Sequence, residues 1–178
     1  MNSYREGPET ERLRHRALVS GDAEAFYRLN SDPEVMRYTA EAPLESVEAA
    51  REAIVTHPDF ETVGYGRWAC VLKGEESLCG FCGLKYLEDL DAVDLGFRFF
   101  PSYWGRGLAT EACEASLRFG FEVLGLEEII ALVLPENGAS IRVLEKVGMK
   151  FEGDFDYDGW RALRYRLGAH EERGCREA

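Results

Sequence analysis

The chain has 178 residues, of which 46% are hydrophobic, and a formal net charge of −12 at pH 7. This size and composition are typical of one globular domain and exclude a disordered chain, and no apolar run reaches the roughly 20 residues of a membrane span. The negative charge disfavours nucleic acid and favours a cationic partner. Because the polar first residues lack the apolar core of a signal peptide, we expect a cytoplasmic protein with no membrane partner.

The first third of the chain predicts one strand and three helices. Polar caps or a proline mark the helix starts, at Asp22, at Asp32 before Pro33, and at Ser46. The predicted elements are a strand over 12–18 and helices over 23–30, from 33, and from 46 to about 54.

The rest of the chain predicts six further strands and two helices. Period-two runs separated by turns give strands over 67–72, 78–87 and 93–100. The longest helix, over 108–124, has small and apolar residues at a 3.6-residue period. A strand over 128–134, a helix over 139–147 and a hairpin of strands over 150–157 and 160–167 complete the order.

A strand, a helix and a second strand in the middle of this order predict one parallel crossover inside a mixed sheet, and hence an α/β (α+β) domain. We expect this single domain to span residues 9–168. Residues 1–8 are expected to be a flexible N-terminus, and residues 169–178 a flexible charged tail.

The cysteines are expected to be reduced and structural. There are five, an odd number, and Cys79 and Cys82 form a C-x-x-C inside a predicted strand. An offset of three along a strand puts two side chains on opposite faces, and the histidines lie far from the pair in sequence. We therefore expect core cysteines and no metal site.

The segment over 101–111 joins a predicted strand to the longest helix. Gly105 and Gly107 allow a tight turn and a close approach to a ligand, and the free amides of the first helical turn are suited to bind phosphate. Arg106 adds positive charge. The glycines alone are equally consistent with a simple turn. A Rossmann fingerprint is excluded because Thr110 replaces its third glycine, and a Walker loop because no Gly-Lys-Ser/Thr occurs.

From about residue 10 to residue 167, the chain resembles the GCN5-related N-acetyltransferases (GNAT), and within them the group of the ribosomal-protein acetyltransferases RimJ and RimL. Three blocks carry the resemblance. The first combines Glu-Thr-Glu-Arg-Leu-Arg from residue 9 with Asp-Ala-Glu-Ala from 22 and Asp-Pro-Glu-Val-Met-Arg from 32. The second runs from Asp94 to Ala112, and the third from Asn137 to Gly148.

The resemblance implies a GNAT fold, which is a mostly antiparallel mixed sheet of six to seven strands with helices on both faces. The sheet is splayed between its fourth and fifth strands, where the pantetheine arm of acetyl-CoA binds. Backbone groups at the end of the fourth strand would bind that arm, amides of the glycine turn would hold the pyrophosphate, and the start of the third block would contact the cofactor from the fifth-strand side. The implied cofactor-binding residues are Phe97, Arg98, Phe99, Gly105, Arg106, Gly107, Leu108, Ala109, Thr110, Asn137 and Ser140.

The sequence departs from the family at two positions. Trp104 stands where the broad phosphate pattern begins with Gln or Arg, as is common in the RimJ/RimL group. Leu144 replaces the tyrosine that protonates the leaving thiolate in many relatives. The resemblance then implies Ser140 as the residue facing the sulfur, although its hydroxyl is also consistent with helix capping.

Asp94 is the leading candidate for a catalytic base, acting through a water, although an ion-paired strand aspartate is an equally consistent interpretation. Glu111, Glu152 and Asp154 are further candidates. The early helices flank the cleft in relatives, which implies that the acceptor contacts residues 32–38. Met36 and Tyr38 are the candidate side chains in this segment. Trp160 and Tyr86 are aromatic candidates for the same pocket.

The expected activity is transfer of the acetyl group of acetyl-CoA to a primary amine by direct attack, with no metal. The acceptor is either a protein N-terminus or a small-molecule amine, and family behaviour implies a homodimer. Two alternatives remain from the residues alone. One is a regulatory module that binds acyl-CoA without turnover, and the other is a nucleotide-dependent enzyme that uses the same glycine turn.

Overall fold

The computed structural model describes residues 3–57 and 59–171. It contains one eight-stranded sheet in the order β1-β2-β3-β4-β5-β6-β8-β7, in which only the β5–β6 pair is parallel. The strands are β1 Glu6–Glu9, β2 Leu13–Arg16, β3 Arg67–Leu72, β4 Ser77–Leu87, β5 Ala92–Phe99, β6 Glu128–Val133, β7 Lys150–Tyr157 and β8 Trp160–Gly168. The helices are α1 Ala23–Ser31, α2 Pro33–Met36, α3 Val47–Thr56, α4 Asp59–Thr62, α5 Leu108–Glu122 and α6 Gly138–Lys146.

The mixed α/β fold is confirmed, but the expected number of six to seven strands is wrong because β1 adds an eighth. Residues 6–8, expected to be flexible, belong to this strand. The sequence pattern missed this strand because its four residues show no alternation of apolar side chains. It packs so closely on the core that a Cβ atom at Gly7 would lie 2.8 Å from the Trp68 ring. The strand therefore lies flat against Trp68, whose indole N–H donates to the carbonyl oxygen of Tyr4 at 2.8 Å.

At the other end, the chain leaves β8 close to β6. The amide of Ala169 donates to the carbonyl oxygen of Glu127 at 2.9 Å, and Lys150 forms an ion pair with Glu171 at 2.6 Å. Residues 169–171 of the expected tail thus contact the domain. The expectation for the rest of the tail concerns residues 172–178, which lie outside the described part of the chain.

Helix α5 covers one face of the sheet and forms the main core with it. Its inward residues are the small and apolar ones that the 3.6-residue period predicted, including Ala112, Leu117 and Gly120. A Cβ atom at Gly120 would lie 2.7 Å from Ile129 of β6, so the helix packs closely on the strand. This close packing fixes where the first turn of α5 lies relative to β5 and β6.

The cysteine prediction was wrong in one respect. Cys79 and Cys82 are both fully buried in the same core cluster, on the α5 side of the sheet. The pairing of β4 with β3 shifts register between Cys70 and Val71, because Cys79 is an extra residue opposite them. This bulge removes the strict alternation from which opposite faces were expected.

Helices α1 and α2 cover the other face, where Leu29 and Val35 pack against Phe81 of β4. Two helices on one face and α5 on the other give the layered arrangement that the sequence predicted. Within the described residues, no helix combines the length and the apolarity needed to cross a lipid bilayer.

Strands β5 and β6 separate along their length. They are joined by one registered pair, Asp94 with Ile130, near the start of each strand. Toward their carboxyl ends, the two strands diverge. The gap expected between the fourth and fifth predicted strands is therefore present, and β1 makes these strands the fifth and sixth.

Candidate active site

A cleft of about 1080 Å³ opens where β5 and β6 diverge. Its walls come from the end of β5, the end of β6, the first turns of α5 and α6, the segment after α2 and the β7–β8 hairpin. Of the predicted cofactor-binding residues, all but Arg106 line it: Phe97, Arg98, Phe99, Gly105, Gly107, Leu108, Ala109, Thr110, Asn137 and Ser140.

The N-terminus of α5 presents main-chain donors to this cleft. Gly107, the residue before the helix, has φ +76° and provides no side-chain cap. The first helical hydrogen bond runs from the amide of Glu111 to the carbonyl oxygen of Gly107, at 3.1 Å. The amides of Leu108, Ala109 and Thr110 therefore have no acceptor in the preceding turn. Such a terminus is suited to bind a phosphate group through its amides and its dipole.

Arg12 stabilises the turn that precedes α5. Its guanidinium donates to the carbonyl oxygen of Arg106 at 2.8 Å and to the carboxylate of Glu111 at 2.6 Å. Burial acts to raise the pKa of Glu111, but hydrogen bonds from Thr10 and Arg12 outweigh it, and the pKa is lowered. Glu111, one of the candidate bases, is thus an ionised anchor that does not line the cleft.

Cations lie near the same turn. Arg106 stacks over the Tyr103 ring at 5.3 Å and is exposed, and its role as a cofactor-binding residue through its amide and its charge stays a prediction. Arg142 and Lys146 of α6 line the cleft instead, and neither forms an ion pair within 3–57 or 59–171. The sequence analysis missed Arg142 and Lys146 because they are distant in sequence from the glycine turn. Only the β5–α5–β6 crossover brings them to the same cleft.

The edge of β5 that faces the cleft is defined by main-chain alternation. The amide of Phe100 donates to Cys79 of β4 at 3.0 Å. Because successive backbone groups point to opposite strand edges, those of Phe97 and Phe99 point toward β6 and the gap. Those of Arg98 point toward β4, which corrects the expectation that all three residues present backbone groups to a cofactor.

The side chain of Arg98 has a structural role on the α1 side of the sheet. It donates to the side-chain oxygen of Asn30, pairs with Glu41 at 3.1 Å, and stacks over the Phe81 ring at 5.3 Å. Burial lowers the pKa of Arg98, and the charge of Glu41 opposes that change. The residue therefore ties the segment after α2 to the strand that borders the cleft.

The start of α6 brings Asn137 and Ser140 together at the β6 side of the cleft. The side-chain oxygen of Asn137 accepts the amide of Ser140 at 3.1 Å, which makes Asn137 the helix cap. Ser140 contributes its backbone to this cap, so its hydroxyl is not the capping group. Leu144, one turn further on, is buried in the core at the wall of the cleft and provides no hydroxyl there.

Asp94 lies at the inner end of the cleft and is 6% exposed. One carboxylate oxygen accepts from the guanidinium of Arg67 at 2.8 Å, and the other accepts from the amide of Leu132 at 3.2 Å. The ion-paired interpretation of this residue is therefore the one that the contacts match. Arg67 was missed because its partner lies two strands away in the sheet.

The segment after α2 places Tyr38 and Glu41 at the cleft, and Glu34 of α2 lines it as well. Met36 does not line it, because the short helix α2 turns this residue inward, where it is 8% exposed. The β7–β8 hairpin adds Asp158 and Trp160. Tyr86 lies outside the cleft and donates to Asp91.

The remaining candidate groups are engaged elsewhere. Glu152 pairs with Arg164 and Arg166, and Asp154 pairs with Arg161, all outside the cleft. Cys82 and Cys113 have sulfur atoms 3.8 Å apart but are fully buried in the core. Among the described residues, no cluster of three or more histidine, cysteine or acidic side chains is arranged to hold a metal ion.

Comparison with known proteins identifies the architecture. Residues 12–150 match the family model described as an acetyltransferase (GNAT) domain. The uncharacterized N-acetyltransferase p20 of Bacillus licheniformis is 32% identical over 146 residues, covering 81% of this chain and 82% of that protein. The spermidine N(1)-acetyltransferase of Escherichia coli K12 is 27% identical, covering 89% and 84%. The crystal structure of a GNAT-family acetyltransferase from Bacillus anthracis superposes with a TM-score of 0.78 at 31% identity, covering 91% and 98%.

Proposed function

The chain belongs to the GNAT family of acetyltransferases and is an acetyl-CoA-dependent N-acetyltransferase, and we propose that it acetylates a primary amine of a cationic acceptor within the β5–β6 cleft. The observation that carries this proposal is the N-terminus of α5. It directs the amides of Leu108, Ala109 and Thr110 into the cleft without a side-chain cap.

The residues around this terminus fit the diphosphate of acetyl-CoA. The overall charge of −12 repels a polyanion, so binding requires a local excess of donors and positive charge. Arg142 and Lys146 supply that charge beside the open amides. The backbone groups of Phe97 and the amide of Phe99, on the gap-facing edge of β5, are available to the pantetheine arm in the manner of an added strand, while the carbonyl oxygen of Phe99 accepts from Trp104.

Acetyl-CoA supplies the thioester that is transferred. In the proposed reaction, the neutral amine nitrogen forms a bond to the acetyl carbon, the carbon–sulfur bond breaks, the nitrogen releases a proton to solvent water, and the sulfur receives a proton. The amide of Phe99 points into the gap, where it can stabilise negative charge on the carbonyl oxygen. Direct attack agrees with the burial of Cys82 and Cys113, which removes both thiols from the reach of an acetyl donor.

We assign the proton donor for the sulfur to Ser140. Ser140 lines the cleft at the first turn of α6, and the cap made by Asn137 engages its amide and not its hydroxyl. The sequence prediction that Asp94 acts as a base through a water stays a prediction. Its two oxygens already accept hydrogen bonds from Arg67 and Leu132, so we expect the amine to lose its proton by another route.

The acceptor end of the cleft carries Glu34 and Asp158 together with Tyr38 and Trp160. In the same region, Glu41 is paired with Arg98 and Arg37 stacks over the Tyr38 ring at 5.1 Å. Carboxylates beside aromatic faces attract and orient cationic amines. A free alkyl amine has a pKa of about 10.4, so most of the acceptor arrives protonated and is drawn by this charge. The similarity to a spermidine N(1)-acetyltransferase supports a polyamine as the first acceptor to test.

A protein N-terminus is the second acceptor class, supported by the sequence resemblance to the RimJ/RimL group. The homodimer and the cytoplasmic location implied by the sequence stay predictions. Sedimentation of the purified chain tests the first of these, and fractionation of cells that produce it tests the second.

An acceptor screen tests the function. The full chain is incubated with acetyl-CoA and, separately, with spermidine, a peptide with a free N-terminus and the same peptide blocked at its N-terminus. Thiol release and the mass of each acceptor are measured. We expect thiol release matched by the gain of one acetyl group, with the polyamine and not with the blocked peptide.

Binding measurements separate the alternatives. Tight binding of acetyl-CoA without acetylation of any amine would identify a non-catalytic acyl-CoA-binding module and refute the proposal. A thermal shift with NADPH or ATP, and none with acetyl-CoA, would instead favour the nucleotide-dependent alternative. An acetyl group retained on the denatured enzyme would contradict direct attack.

A further inference from the structure

The parting of β5 and β6 leaves a backbone donor that the sheet itself does not pair. Asp94 and Ile130 form the registered pair of the two strands, and Leu132 follows two residues later on β6. In a continued parallel ladder, the amide of Leu132 would donate to a main-chain carbonyl of β5. Here it donates to the carboxylate of Asp94 at 3.2 Å. A side chain thus takes the place of the main chain where the cleft begins.

The second oxygen of the same carboxylate is anchored two strands away. Arg67 of β3 reaches across β4 and donates to Asp94 at 2.8 Å. It passes directly over Gly96, where a Cβ atom would lie 2.4 Å from the guanidinium. Gly96 therefore provides the space that the arginine needs. The result is a side-chain bridge, Arg67–Asp94–Leu132, that connects β3 to β6 at the inner end of the cleft.

The bridge engages both carboxylate oxygens of Asp94, one with Arg67 and the other with Leu132. Burial raises the pKa of this carboxyl, and the charges of Arg67 and Lys85 and the amide of Leu132 offset that rise only in part. The guanidinium of Arg67 and the carboxylate of Asp94 form an ion pair at 2.8 Å, so each is the counter-ion of the other. Loss of the carboxylate would leave a partly buried guanidinium without its counter-ion.

We propose that Asp94 is a positioning residue, which fixes the separation of β5 and β6 by holding the Leu132 amide on a carboxylate anchored by Arg67. Its effect on catalysis rests on the proposed function, because the strands that it spaces are those that border the acetyl-CoA cleft. Its effect on the Leu132 amide does not depend on any activity.

The chain contains a matched control for this bridge. Arg16 and Asp22 form an ion pair at 2.7 Å with side-chain exposures of 27% and 11%, compared with 26% and 9% for Arg67 and Asp94. Asp22 also accepts a backbone amide, that of Val19, at 2.9 Å. Neither member of this pair lines the cleft. Removing Asp22 therefore has a comparable structural cost without touching the strand gap.

The test compares Asp94→Asn, Asp94→Ala and Asp22→Ala in the full chain. Amide NMR reports the Leu132 proton, calorimetry reports CoA affinity, and steady-state kinetics report kcat against pH. In Asp94→Ala, we expect the Leu132 resonance to move upfield and its exchange to accelerate, and CoA to bind about tenfold more weakly. Asp94→Asn keeps an oxygen acceptor for Leu132, so it should recover part of the Leu132 chemical shift and part of the CoA affinity. It should also keep the shape of the wild-type pH profile of kcat.

Asp22→Ala should leave the Leu132 resonance and the CoA affinity unchanged. Two results would overturn the proposal. One is an Asp94→Ala enzyme whose Leu132 amide and CoA affinity match those of Asp22→Ala. The other is an Asp94→Asn enzyme that keeps CoA affinity but loses at least about 100-fold in kcat together with the acidic limb of its pH profile, as expected for a general base. If Asp94→Ala does not fold, the CoA affinity and the pH profile of kcat of Asp94→Asn decide between the positioning role and the general base.

The outcome is separable from that of the proposed function. A wild-type protein that binds no CoA and acetylates no amine would refute the function. The same protein would still support the bridge if the Leu132 amide responds to Asp94 substitution and not to Asp22 substitution.

Discussion

Trp104 donates its indole N–H to the carbonyl oxygen of Phe99 at 2.8 Å, so the residue that opens the proposed phosphate-binding turn is bonded to the last residue of β5. This bond joins the two cofactor-facing parts of the cleft, the strand edge and the turn before α5. It also gives a structural reason for tryptophan at a position where the broad family pattern has Gln or Arg.

We predict that Trp104→Phe weakens CoA binding about fivefold, because a lost hydrogen bond of about 1 kcal/mol frees the turn to move relative to Phe99. Calorimetry with CoA measures the change. Trp160→Phe is the control for CoA affinity, since Trp160 is equally exposed, at 50%, and lies on the β7–β8 hairpin, which we assign to the acceptor and not to the cofactor. Equal CoA affinities for the two variants would show that the Trp104–Phe99 bond does not shape the cofactor site.

Ser140→Ala should lower kcat by roughly 10- to 100-fold and leave the KM for acetyl-CoA nearly unchanged, because the proton for the leaving sulfur is lost. The free energy of unfolding should not change, since Asn137 supplies the cap. Asn137→Ala is the contrasting variant, with an expected loss of about 1 kcal/mol in urea unfolding. A Ser140→Ala enzyme with wild-type kcat would remove this residue from the mechanism.

Gly107→Ala should weaken CoA binding about tenfold, because a Cβ atom at φ +76° strains the turn and would lie 3.5 Å from the Arg12 guanidinium that holds it. Gly125→Ala is a matched control beyond the other end of the helix. The two glycines have φ of +76° and +69°, so both substitutions should cost about 1 kcal/mol of stability through backbone strain. If both variants bind CoA alike, phosphate recognition by this turn is wrong.

His15 predicts how stability depends on mildly acidic pH. The ring is fully buried, bonds the carbonyl oxygen of Pro8 through Nδ1, and has no partner for Nε2 within the described residues. Burial lowers its pKa in the folded state, so the unfolded chain takes up the proton first as pH falls below 6.5. The free energy of unfolding should therefore fall by up to about 1.4 kcal/mol per pH unit below that value, until the folded state is protonated too.

Urea unfolding at pH 7.5, 6.5 and 5.5 measures this slope. The His15→Gln variant lacks the titrating group, so its stability should change less over the same range, whatever its absolute stability. A parallel pH dependence of the wild type and the variant would assign the slope to other groups.

The order of the main elements could be predicted because local patterns specified them. The small-residue period of α5 and the turn at Asp158 and Gly159 mark their elements within a few neighbouring residues. Strand β1 could not be predicted in this way. Its four residues show no alternation of apolar side chains, and its place depends on the Trp68 ring, about 60 residues away.

The same difference between local sequence patterns and long-range contacts applies to the candidate site. The glycine turn is continuous in sequence and carries its own signal of phosphate binding. The partners that decide the roles of Asp94 and Arg98 come from other elements, namely Arg67 on β3 and Asn30 on α1. Because a charge on a strand has the same sequence pattern whether it is catalytic or paired, only the folded structure separates these interpretations.

The central claim is that the first turn of α5 receives the diphosphate of acetyl-CoA, and a CoA titration of the isotope-labelled protein, followed by amide NMR, tests it most directly. The account predicts large shifts for the amides of Leu108, Ala109 and Thr110, with little change for Val123 and Gly125 beyond the far end of the helix. Shifts confined to other parts of the chain, or none at saturating CoA, would contradict it.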